Sequence, residues 1–222
     1  MEIKNLKLKN FRNHRETNFK FNDISLILGE NASGKSSVIE AIGFLSSGGS
    51  IRAEHDRECI DFEKDFSIIE GVCKKDDETI NLTVGIQKTK EGNFSKKVFK
   101  VNGVVKSQNK FSGTLSTVIF TPLDMELIIN GPALRRRFLD RAISQTRSEY
   151  RLALTKLGKV VRSRNRILEQ INKEGRGYKE LELYDDLFLE EAQTVHEERK
   201  KFFSEIKKSL EEYGEKLNHW GN

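Results

Sequence analysis

The stretch LILGENASGKSSVIEAI, Leu26–Ile42, decides how this chain is read. An apolar run from Ile24 to Leu28 leads into Gly29, four residues, then Gly34, Lys35 and Ser36. After it Val38, Ile39, Ile42 and Leu45 recur at helical spacing. Strand, glycine-bounded loop and helix in that order are the setting in which this spacing cradles phosphate. A triphosphate calls for dense positive potential without bulk. Gly29 and Gly34 allow a tight, side-chain-free turn, so successive N–H groups from Asn31 to Ser36 can wrap the anion. Lys35 would set its ammonium between the β- and γ-phosphates, Ser36 would give a hydroxyl to Mg²⁺, and the helix N-terminus would add its dipole. The candidate nucleotide-binding residues are therefore Gly29, Glu30, Asn31, Ala32, Ser33, Gly34, Lys35, Ser36 and Ser37, with ATP and Mg²⁺ as cofactors and Ser36 as the metal-facing residue.

Around this loop the chain has 222 residues, 36% of them hydrophobic and 33% charged, enough for one large domain or two small ones with a proper core. No run approaches the roughly 18 apolar residues of a membrane span, and the N-terminus MEIKNLKLKNFRNHRE alternates charged with apolar residues. A cytoplasmic protein is expected. Cys59 and Cys73, without zinc-like spacing, read as reduced thiols. His14, His55, His196 and His219 have no partner at catalytic spacing. The net charge of +5 is concentrated: residues 131–168 carry eleven Lys and Arg against Asp140 and Glu149. That asymmetry suggests an element facing a polyanion.

The first half reads as strands at 3–11, 24–28, 66–74, 79–87, 97–101 and 115–120, with a helix from Lys35 to about Leu45. Ile80, Leu82, Val84 and Ile86 alternate as in a half-buried antiparallel strand. LSSGGS, Leu45–Ser50, looks like a nucleotide-contacting signature segment, but it directly follows the phosphate-loop helix and reads as that helix's C-terminus. Beyond Pro122 helical spacing takes over at 123–129, 133–144, 149–172 and 181–213, with a turn at 174–177. The expected organisation is an α/β ATP-binding lobe at 1–121 with a mixed sheet, followed by a helical domain at 122–222.

Four segments resemble the RecF family of bacterial recombination mediators, relatives of the SMC ATPases: LKLKNFRNH at 6–14, the phosphate loop, SIR at 50–52 with ECI downstream, and VIFTPLDMELIINGPALRRRFLDRAISQTRSEYRLAL followed by VRSRNRIL. The last resembles the RecF helical insertion and not an SMC coiled-coil entry. The likeness covers roughly residues 1–168, and more loosely the helices beyond. It implies an ABC-type ATPase lobe carrying a helical second domain, an ATP-dependent homodimer on single-stranded or gapped duplex DNA, RecR- and RecO-like mediators as partners, and help in placing recombinase. It also suggests that Asn10 and Arg12 touch the nucleotide, where a turn residue and a surface cation are the plainer readings. Ala32 stands where the family commonly has glycine, Ser37 where it has asparagine, and Leu123 where an acidic residue often precedes Asp124.

No apolar strand ends in an Asp-Glu pair; the nearest mimic, LFLEEA at 187–192, sits in a helical setting. The chain thus resembles the N-terminal portion of a RecF, its helical region an insertion before a second ATPase half. For DNA contact the candidates are Arg147, Arg151, Lys159, Arg162, Arg164 and Arg166, against the alternative of a solvated helix face partly paired with acidic C-terminal helices. RRRFLD at 135–140 reads as structural, with Phe138 and Leu139 in the core and Asp140 bridging an arginine. Two other functions stay open: a P-loop kinase with the helices as a substrate lid, and an interaction module with a vestigial loop.

Overall fold

The computed structural model describes residues 1–89, 95–129 and 131–219. The chain forms two compact units, Met1–Leu134 and Arg135–Asn222, so the division falls later than the expected 121/122 boundary.

Among the described residues of the first unit six strands make one sheet in the order β2-β1-β3-β4-β5-β6: β1 (Glu2–Phe11), β2 (His14–Lys20), β3 (Phe66–Lys75), β4 (Glu78–Lys88), β5 (Ser95–Val101) and β6 (Val104–Lys106). Every pairing is antiparallel. The expected alternation holds in β4, where Leu82, Val84 and Ile86 are buried. They join Leu6, Leu8 and Phe11 of β1, Ile69 and Cys73 of β3, and Phe99 of β5 in one core. Helix α1 (Lys35–Ser47) covers that core with Val38, Ala41, Phe44 and Leu45. Its approach to the sheet is close: a Cβ on Gly71 would lie 2.5 Å from Leu45 Cδ1. The helix ends at Gly48, in the left-handed region at φ 74°, whose N–H caps the Phe44 carbonyl. LSSGGS is therefore a helix C-terminus, as its position indicated.

The sheet differs from expectation in its strands: neither β2 nor the three-residue β6 was expected, and two expected segments do not join it. Strand β2 has only Phe19 as a large apolar residue and lies at the sheet edge, so its sequence gave little periodic signal. The segments at 24–28 and 115–120, expected as strands, join no strand among the described residues. Ile27 and Leu115 turn into the core, while Ile24, Leu26, Leu28, Val118 and Phe120 stay exposed. Apolar alternation marks a chain fit to pair; without a partner backbone the ladder does not form.

Short helices α2 (Gln108–Phe111) and α3 (Glu126–Ile129) follow, the latter after a 3₁₀ turn over Pro122–Met125 where a single helix was expected. The side chain of Leu123 lies outside the described residues.

Helix α4 (Pro132–Thr146) leads into the second unit, whose body is α5 (Ser148–Glu174) and α6 (Tyr178–His219). The ion pairs Lys156–Glu191 and Arg164–Asp185 show α5 and α6 running antiparallel. Gly175 and Gly177, both at positive φ, make the reversal between them. A small core gathers Ile143, Tyr150, Ala153 and Val195, with Leu139 and Phe202 against it. Phe138, expected in the core, is about half exposed (47%), because it falls on the solvent side of α4 while Leu139 turns inward. Asp140 does bridge an arginine: it accepts from Arg199 at 2.6 Å and from the Tyr150 hydroxyl. LFLEEA lies inside α6, so its carboxylates are helical residues and not the end of a strand.

Candidate nucleotide site

Helix α1 begins at Gly34, whose φ of 97° puts it where an L side chain is strained. Ala32 takes a similar conformation at φ 65°. The loop is closed by a Ser33 N–H bond to the Glu30 carbonyl at 3.2 Å, and helix hydrogen bonding starts with the Ser37 N–H on the Gly34 carbonyl at 2.9 Å. Lys35 folds back along this loop, its Nζ donating to the Gly29 carbonyl at 2.7 Å and to that of Glu30 at 2.5 Å.

A cleft of about 730 Å³ opens over the helix N-terminus. Of the expected loop residues Asn31, Ala32, Gly34, Lys35, Ser36 and Ser37 line it, whereas Gly29, Glu30 and Ser33 are not among the lining residues. The cleft is also lined by residues that sequence reasoning did not assign to the site: Asn13 and Arg15 from the β1–β2 hairpin, Arg52 from the loop after α1, and Glu58, Ile60, Asp61, Phe62 and Glu63. Segments quoted for the resemblance contain four of these, Asn13 in LKLKNFRNH, Arg52 in SIR, and Glu58 and Ile60 in ECI, without marking them as site residues. Phe62 is almost wholly exposed (99%) at the rim, and Arg15 pairs with Glu63 at 3.0 Å.

Arg12 lines the cleft, but its guanidinium is engaged: Nε and Nη2 donate to Glu40 at 3.0 and 2.7 Å, and Nη1 donates to the Glu58 carbonyl at 2.8 Å. Asn10 is buried and is not among the lining residues; its carbonyl takes the Asp61 N–H. Glu40, fully buried on α1, also accepts from Ser50 Oγ at 2.6 Å. Burial works to raise its carboxyl, yet hydrogen bonds from Arg12 and Ser50 with the charge of Arg12 outweigh that and hold it below the usual carboxylate range. Ser50 Oγ in turn accepts the N–H groups of Arg52 and Ala53, which sets the loop bearing Arg52. Beside this cluster burial, then the Glu40 charge, pushes the Cys59 thiol up to about 12, so it stays protonated near neutrality. Both cysteines are free and buried.

A backbone cradle at a helix N-terminus with a lysine folded on it and hydroxyls beside it has the donors that a phosphate group would require. A model of the AAA ATPase domain family matches residues 1–219. The chain belongs to that family.

Within it the likeness to RecF read from the sequence is borne out. The chain is 32% identical over 215 residues to the "DNA replication and repair protein RecF" of Thermoanaerobacter pseudethanolicus, covering 96% of this chain and 58% of that one. It is 35% identical over 214 residues to its counterpart from Halalkalibacterium halodurans, covering 96% and 56%. The solved structure "recombination mediator protein RecF-ATP in RecFOR pathway" superposes with a TM-score of 0.84 at 33% identity, over 94% of this chain and 55% of that one. A companion with a different nucleotide designation, RecF-ATPrS, gives 0.85. The chain spans less than three fifths of the length of these relatives.

The residues considered for DNA contact divide into two groups in the second unit. Arg147 bonds Glu198 at 2.7 Å and also Glu205, Arg164 bonds Asp185 at 2.5 Å, and Arg151 donates to the Ser144 carbonyl. Lys159, Arg162 and Arg166 are exposed on α5. Among the described residues no helix is long and apolar enough to cross a membrane, and no cluster of His, Cys, Asp and Glu could hold a metal ion.

Proposed function

We propose that this chain holds Mg-ATP in the cleft at the N-terminus of α1 and uses it to control binding to single-stranded or gapped duplex DNA. It would do so as an ATP-dependent homodimer working with RecR- and RecO-like mediators to load recombinase. The observation that carries the reading is the start of α1: Gly34 at φ 97°, Lys35 held on its own loop, and Ser36 and Ser37 facing the cleft. The residues present fit a nucleotide triphosphate. Oxygens of a bound phosphate would replace the Gly29 and Glu30 carbonyls as acceptors for Lys35, exchanging neutral partners for a charged one. Ser36 is the hydroxyl that would hold the metal, which when bound neutralises charge on the β- and γ-phosphate oxygens.

Support for the DNA part is narrower than the whole basic run. Lys159, Arg162 and Arg166 follow i, i+3, i+7 spacing, so they share one face of α5 over about 10 Å of helix axis. Three exposed cations in a row match a line of backbone phosphates and carry no base-reading geometry. The experiment is fluorescence anisotropy of labelled single-stranded and gapped duplex DNA, with and without Mg-ATP. The reading predicts tighter DNA binding with Mg-ATP present; DNA affinity indifferent to the nucleotide would contradict the coupling.

A further inference from the structure

The tip of the β1–β2 hairpin reaches the phosphate loop with two side chains that the nucleotide reading leaves without a role. Asn13 Nδ2 donates to the Ala32 carbonyl at 3.0 Å. His14 Nε2 lies 3.2 Å from the Gly34 carbonyl oxygen, and Nδ1 lies 3.2 Å from Thr17 Oγ1. The His14 ring is buried and stands edge-on to Phe19, with centroids 5.6 Å apart. The Gly34 carbonyl oxygen can only accept, so in this contact Nε2 carries the proton and donates it to Gly34. The fit is close enough that a Cβ on Gly34 would come within 2.5 Å of His14 Nε2 and 2.6 Å of Asn13 Oδ1.

We propose that His14, assisted by Asn13, is a positioning residue for the phosphate cradle. In a trans peptide unit the C=O and the following N–H point in opposite directions. The Gly34 carbonyl already accepts from the Ser37 and Val38 N–H groups; the third bond from His14 fixes that peptide plane and aims the Lys35 N–H away from the hairpin, at the open end of α1. Asn13 does the same one turn of loop earlier, holding the peptide of Ala32 in its left-handed conformation. The loop is thereby ordered before any ligand arrives, which lowers the entropic cost of binding. This inference rests on the loop being a nucleotide site.

The test uses the whole chain in four forms: wild type, His14→Leu, His14→Gln and Asn13→Ala. Leucine fills the space against Phe19 but donates nothing; glutamine returns an N–H near the Nε2 position. Each form is titrated with fluorescent Mg-ATP, and the Lys35 amide is followed in ¹H–¹⁵N spectra without nucleotide. One neutral hydrogen bond converts to an expected three- to tenfold weakening, roughly, in His14→Leu. The Lys35 resonance should move with it, and His14→Gln should restore both. Wild-type affinity with an unmoved resonance in His14→Leu overturns the proposal, as does equal damage in His14→Gln, which would mark a merely structural side chain. If the wild type itself binds no nucleotide, the nucleotide reading fails and the Lys35 resonance alone decides: moved in His14→Leu and restored in His14→Gln upholds the positioning role, unmoved overturns it. Should His14→Leu not fold, Asn13→Ala, an exposed position, carries the same two readouts, and no change in either overturns the proposal.

Discussion

Ala32 sits at φ 65° inside the phosphate loop, a conformation that costs a residue with a Cβ about 1–2 kcal/mol. The resemblance to a family that commonly has glycine there now has a physical reason. Ala32→Gly removes the strain and gives back part of it as unfolded-chain entropy, about 0.4–1 kcal/mol. The expected result is a net stabilisation of about 0.5 kcal/mol in urea unfolding, and a loss of more than about 1 kcal/mol would contradict the strain. At this scale the sequence was legible where the arrangement depends on neighbours along the chain: spacing and the helix that follows read Gly34, Lys35 and Ser36 as a loop opening a helix, and these three line the cleft at the start of α1. It was not legible where the partner is distant. Arg12 meets Glu40 across 28 positions and His14 meets Gly34 across 20, and no periodicity announces such a meeting.

Elements were legible in proportion to their apolar pattern. Helix α1 and strands β3, β4 and β5 stand close to where alternation and helical spacing put them. The segments at 24–28 and 115–120 carry the same pattern and pair with nothing described, since a pattern states what one chain segment can do and not whether a partner strand is beside it. Helix α5 shows the same division. Its cations look alike in sequence, yet Arg147, Arg151 and Arg164 are taken up by α6 or the α4 backbone, leaving Lys159, Arg162 and Arg166 on a solvated face. A Lys159→Ala/Arg162→Ala/Arg166→Ala variant should keep its fold and reduce the slope of log affinity for duplex DNA against log salt by about 2–3 units. Anisotropy across a salt series checks this. An unchanged slope in the folded variant would return the stripe to an ordinary solvated face.

For the molecule as a whole, the first unit holds the cleft with its cradle and the second holds the basic stripe. Membership of the AAA ATPase domain family and the superposition on RecF over 94% of the chain agree with what the loop implied. The account's central claim is that the loop from Gly29 to Ser37 is a working nucleotide site. Calorimetric titration of Mg-ATP into the wild-type chain and into Lys35→Ala tests it most directly, because the substitution removes a charged donor while leaving the backbone cradle in place. Loss of one hydrogen bond from a charged group predicts roughly 10- to 100-fold weaker binding in the variant. Equal affinity of the two proteins for Mg-ATP, or no heat of binding to the wild type, would contradict it.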